Sequence, residues 1–121
     1  MLNISFYAEN GSASQSIRVG EEFYQWLAHS DFAQVGHSQL TTICLDGEEI
    51  QLPLIPLAST TRSMLIAFFN EMILKETAAM LADLERTISK EILEPRTYRI
   101  KKLLELLNCC KNSTFAYLQR E

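Results

Sequence analysis

Between residues 61 and 93 the sequence reads as one long helix, and that is more helix than a chain of 121 residues can hold straight within its own globule. At about 1.5 Å per residue the segment would span about 50 Å, whereas a compact chain of this length has a radius of gyration of about 14 Å. Ser59, Thr60 and Thr61 supply residue types that cap a helix start, and Pro95 is expected to stop it. Its apolar positions are Leu65, Phe68, Phe69 and Met72 early on, then Met80, Leu84, Ile88 and Ile92. Wound at 3.6 residues per turn, the two sets lie roughly a quarter turn apart. Two solutions follow: a bend or break at 75–79, or a helix covered by a second subunit.

The remaining pattern is mixed. Leu2 to Ala8 alternates, with Ile4, Phe6 and Ala8 on one side, as a half-buried strand does. Asn10-Gly11-Ser12 ends it with turn chemistry. Residues 16–20 are ambiguous between strand and loop. Residues 21–29 read as a short helix, because acids in the first turn suit the helix dipole and Phe23, Trp26 and Leu27 share a face. In 40–54, two β-rich runs flank Asp46-Gly47, which favours a two-residue type I′ hairpin. Ile43 and Leu45 then share a face with Ile50 and Leu52. Pro53 and Pro56 donate no ladder hydrogen bond, so pairing is expected to fade there and the second strand to lie at an edge. Residues 96–109 form a second amphipathic helix, antiparallel to the first, and Asn112-Ser113 would cap a short helix over 114–119. The expected fold is α+β in a single domain over residues 1–121. Its parts are a small antiparallel sheet (N-terminal strand plus Asp-Gly hairpin), a C-terminal helical hairpin and a short terminal helix.

Composition sets the surroundings. The start of the chain lacks a basic region followed by an apolar one, and the longest apolar run is broken by Asn70 and Glu71, so neither a secretory signal nor a membrane span is expected. The odd count of cysteines, Cys44, Cys109 and Cys110, argues against a disulfide framework and for reduced thiols in the cytoplasm. Charge is divided unevenly. Residues 1–60 hold seven acids and one base, Arg18, for a net of −6; residues 61–121 hold eight acids and ten bases, for +2; together these give the chain's −4.

Chemistry is hard to place. The glycines lack phosphate-loop spacing, and His29 and His37 lack metal-ligand spacing, so no cofactor or metal is expected. Cys44 reads as a small core residue, Cys110 as part of an apolar stripe and Cys109 as the more exposed thiol. Adjacent carboxylates do not converge on one substrate atom, which argues against an enzyme. The run 96–102, with Arg96, Arg99, Lys101 and Lys102 around Tyr98, reads mainly as a solvated helix face and secondarily as a nucleic-acid contact.

A small acidic cytoplasmic domain without catalytic residues is the physical type of bacterial immunity proteins and antitoxins, which neutralise a basic toxin by direct binding. The contact residues expected on this reading are Glu21, Glu22, Asp46, Glu48 and Glu49, facing a basic nuclease-type protein. The alternatives are a homo-oligomeric assembly or chaperone module paired through the long helix, and a nucleic-acid-binding regulator using 96–102.

Overall fold

The structure, a computed structural model, describes residues 2–85 and 90–120, with the side chains of all but Lys90 and Ile92. The elements run β1 (Leu2–Ala8), β2 (Ser14–Val19), α1 (Glu21–Ala28), a 3-10 turn (Asp31–Gln34), β3 (Gln39–Leu45), β4 (Glu48–Pro56), α2 (Ser59–Leu84), α3 (Lys90–Lys111) and β5 (Phe115–Gln119). The α+β class follows: one five-stranded sheet in the order β2-β1-β5-β4-β3, with every neighbouring pair antiparallel, and helices on one face. Of the ambiguous residues 16–20, Ser16 to Val19 belong to β2, an edge strand, and Gly20 precedes α1. Register explains the core. Ile4 pairs with Ile17, and Phe6, Leu118 and Ile55 form a row across three strands. That face is covered by Phe23 and Leu27 of α1, Leu65 and Phe69 of α2, and Leu103 and Leu106 of α3, all buried.

The Asp46-Gly47 turn forms as the sequence predicts, with φ of 51° and 82° at its two central residues. Pairing does not fade at the prolines, however, and β4 is not an edge. Pro53 pairs with Leu40 of β3, and Pro56 pairs with Tyr117 of β5. β4 hands over from one partner to the other at Leu54 and Ile55, so each proline needs a ladder on one flank only. Consecutive strand residues point to opposite faces, yet Leu54 and Ile55 are both fully buried. Ile55 joins the helix-side core; Leu54 lies on the hairpin face of Ile43, which is also buried. The hairpin is seated against the β1–β2 turn: a Cβ added to Gly11, at φ +74°, would stand 1.8 Å from the Cys44 carbonyl oxygen. Only glycine lets the two backbones approach this closely.

α2 is continuous through 75–79, so the break that was part of one sequence expectation does not form there. The helix ends at Leu84, where the Glu85 N–H tightens onto the carbonyls of Ala82 and Asp83. The rotation of the apolar stripe has another cause. Glu76, on the core face of α2, is only 7% exposed and is held by arginines of α3, so a polar residue fills the gap in the stripe. Pro95 does not stop a helix either. It lies inside α3, just past the first turn, where its missing N–H leaves the Glu91 carbonyl without an i+4 donor and its ring crowds that carbonyl, yet the helix continues through it. α2 thus ends at Leu84 and α3 begins at Lys90; Ile88 of the expected stripe lies outside the described residues. No described helix is long and apolar enough to cross a membrane.

The terminal segment is β5, a central strand, and not a short helix. Phe115 and Leu118, three apart, resemble a helical face. They share the core side of a strand because the register with β1 slips between Tyr7 and Ala8, pairing Ala8 with Phe115 and Tyr7 with Tyr117 and leaving Ala116 as the extra residue of a bulge. Asn112 caps a turn: its Oδ1 accepts from the Thr114 N–H, and its carbonyl accepts from the Phe115 N–H.

Candidate functional site

Three of the acids singled out in the sequence come together. Asp46, Glu48 and Glu49 occupy the tip of the β3–β4 hairpin, all exposed. Glu48 stands opposite Leu45 and Glu49 opposite Cys44, so their side chains leave opposite faces of the ribbon. None of the three forms an ion pair among the described residues. Glu21 and Glu22 are exposed in the first turn of α1, where the helix dipole favours them. They are not joined to the hairpin group. The hairpin rests on the turn that precedes β2, α1 follows the far end of β2, and the strand between them is about 20 Å long. Glu22 lines a cleft with Glu91 and Glu94 of α3, walled by Phe23, Pro95 and Tyr98. The acids thus form two separate surfaces.

The cations, by contrast, are largely used within the chain. Glu76 receives Arg96 at 3.2 Å on one carboxylate oxygen and Arg99 at 3.0 Å on the other; Arg96 also binds Asp83 at 2.6 Å. Arg99 lies 4.5 Å from the centre of the Trp26 ring, and Tyr98 accepts the Gly20 N–H at 2.9 Å, so α3 is pinned to α1 as well as to α2. Lys102 pairs with Glu105. In the basic run 96–102 this leaves Lys101 as the exposed cation without an ion pair among the described residues. Arg62 donates to the carbonyls of Cys110, Asn112 and Phe115, closing the end of α3 onto β5. Arg120 donates to Phe32, Ala33, Val35 and Gly36 and holds the 3-10 turn.

Sequence reasoning missed the Glu76 centre, although its signal was present. Glu76 continues the apolar spacing of Met72 and Met80, and Arg96 and Arg99 stand one turn apart on the partner helix, as two donors for one carboxylate would.

Cys44 and Cys109 reverse the sequence expectation, whereas Cys110 is buried as its place in the apolar stripe predicts. Cys44 is exposed, because the strand turns Ile43 inward and the next residue out; Cys109 and Cys110 are both buried. Burial pushes the Cys109 thiol up to about 11, with help from the nearby Glu105 carboxylate. Burial also pushes Cys110 up to about 12, with Cys109 adding to the shift and Arg62 opposing it. Both stay protonated and poorly nucleophilic. His29 and His37 are exposed, with His29 Nδ1 2.7 Å from the Gln25 carbonyl, and no group of three or more His, Cys, Asp or Glu side chains able to hold a metal ion occurs among the described residues.

No protein-family model, curated protein or solved structure matches the chain.

Proposed function

We propose that this chain is a non-catalytic binding domain that neutralises a basic, nuclease-type protein by direct contact, as bacterial immunity proteins and antitoxins do. The observation that carries this reading is the hairpin tip. Asp46, Glu48 and Glu49 stand exposed on a two-residue turn of fixed geometry, without a cation of their own chain among the described residues. Complementary fields of this kind steer encounter and suppress wrong partners. Glu21 and Glu22, at the other end of β2, form a second acidic contact that a large partner would also meet.

Nucleic-acid binding through 96–102 has less support, because Arg96 and Arg99 would have to leave Glu76 to reach a phosphate. The test is parallel affinity capture from native lysate at low salt with the parent chain and with the Glu48→Lys, Glu49→Lys double variant. A basic protein retained by the parent, released by rising salt and lost from the variant is the expected result. Equal retention by both chains would refute the hairpin as the contact.

A further inference from the structure

We infer that α2 is the contact helix of a two-fold symmetric homodimer, formed when its exposed apolar stripe packs antiparallel against the same stripe of a second copy. This goes beyond the binding function proposed above and uses a different surface. At about 100° per residue, Ala67, Leu74 and Ala78 fall close to one line along the helix, with Met64 and Leu81 beside it. The three large residues are 51%, 70% and 54% exposed for Met64, Leu74 and Leu81. The line lies on the opposite side of α2 from Leu65, Phe69 and Glu76, which face the chain's own core. A helix apolar on two opposite sides is one that is covered on both. Among the described residues of one chain, only one side of α2 is covered.

A second copy is the occupant because the stripe is self-complementary in one direction. A two-fold axis near residues 72 and 73 sets Ala67 opposite Ala78 of the second copy and Met64 opposite Leu81 of the second copy. Glu71 and Lys75, exposed neighbours 3.1 Å apart within one chain, flank the stripe on one side near its middle, and in this register, offset by one residue, they come alongside Lys75 and Glu71 of the second copy. A parallel two-fold arrangement would carry that flank to opposite sides of the contact and form no such cross-chain pair. Isologous contacts of this kind are what a closed two-fold dimer requires. Antiparallel helices also oppose their dipoles favourably. The alanines allow the two backbones to come close. A shallow hollow lined by Ser59, Thr60, Ser63, Met64 and Ala67 lies where Leu81 of the second copy would arrive. The stripe looks away from the sheet, so the dimer leaves both acidic hairpin tips free.

The test is sedimentation of the full chain over a concentration series, alongside three variants whose fold is checked by circular dichroism. The expected result is a reversible dimer. Leu74→Asp raises its Kd at least about a hundredfold, because each two-fold interface carries the lost apolar contact twice. Lys75→Glu alone weakens the dimer, and Glu71→Lys combined with Lys75→Glu restores it. A monomer at every concentration would overturn the inference, as would a dimer unaffected by Leu74→Asp. Equal affinity of the single and double charge variants would overturn the antiparallel register. A monomer that instead holds a different protein through Leu74 would overturn the second copy as the occupant.

Discussion

Replacing Glu76 by alanine is the perturbation that most directly tests how the helical hairpin is held. The carboxylate is 7% exposed and joins Arg96 and Arg99, each roughly one-third exposed, in a single centre. Removing one partner of a fully buried ion pair costs about 3–5 kcal/mol, because the other charge is left without compensation. Here the arginines keep part of their hydration, and Arg96 keeps Asp83, so the expected cost falls to about 2–3 kcal/mol. An unfolding entropy near 2.1 cal/mol/K per residue converts this into a Tm about 8–12 °C lower for a chain of this size. The measurement is thermal and urea unfolding of the parent, Glu76→Ala, Arg99→Ala and the double variant. A coupling energy above about 1 kcal/mol between the two positions is expected for side chains in direct contact. A Glu76→Ala loss under about 0.5 kcal/mol, or additive single and double variants, would refute the ionic centre as the link between α2 and α3.

Three further outcomes are expected. Gly11→Ala should destabilise the fold by about 2–4 kcal/mol, because it adds both a strained φ and a collision with the Cys44 carbonyl, whereas Gly47→Ala, at φ +82° with open space around it, should cost only about 1 kcal/mol; equal losses in urea unfolding would refute the close seating of the hairpin on the β1–β2 turn. In the native protein a thiol reagent should modify Cys44 quickly and Cys109 and Cys110 only on unfolding. The two buried thiols ionise at higher pH in the folded chain than in the unfolded one, so their stabilising effect is complete below pH 9 and is lost as pH rises towards 11 and 12. Tm measured over that range should fall less steeply in a Cys109→Ala, Cys110→Ala variant, and an identical slope would refute the assignment.

Much of this protein is legible in its local chemistry. The alternation of Ile4, Phe6 and Ala8 marks β1, Asp46-Gly47 marks its hairpin turn, and the spacing of Phe23 and Leu27 marks the inner face of α1. Each of these depends on neighbours a few residues away, which a sequence displays. The acidic hairpin tip is legible for the same reason, since an exposed turn needs no distant contact to define it.

Other features depend on partners far along the chain. Phe115 and Leu118 have a helical spacing, and only a bulge opposite Tyr7 and Ala8 turns that spacing into one face of a strand. Cys44 reads as apolar, and only the pairing of Ile43 with Ile50 fixes which of the two neighbours faces in. Glu76 interrupts an apolar stripe as a bend would, and only Arg96 and Arg99, delivered by α3, make it a buried anchor instead. Most element types, the hairpin turn and the uneven charge are properties of the sequence alone, because they are local sums. Strand order, the unbroken run of α2 and the burial of its Glu76 belong to the fold, because hydrogen-bond ladders and charge pairs are completed by residues that the local pattern cannot see.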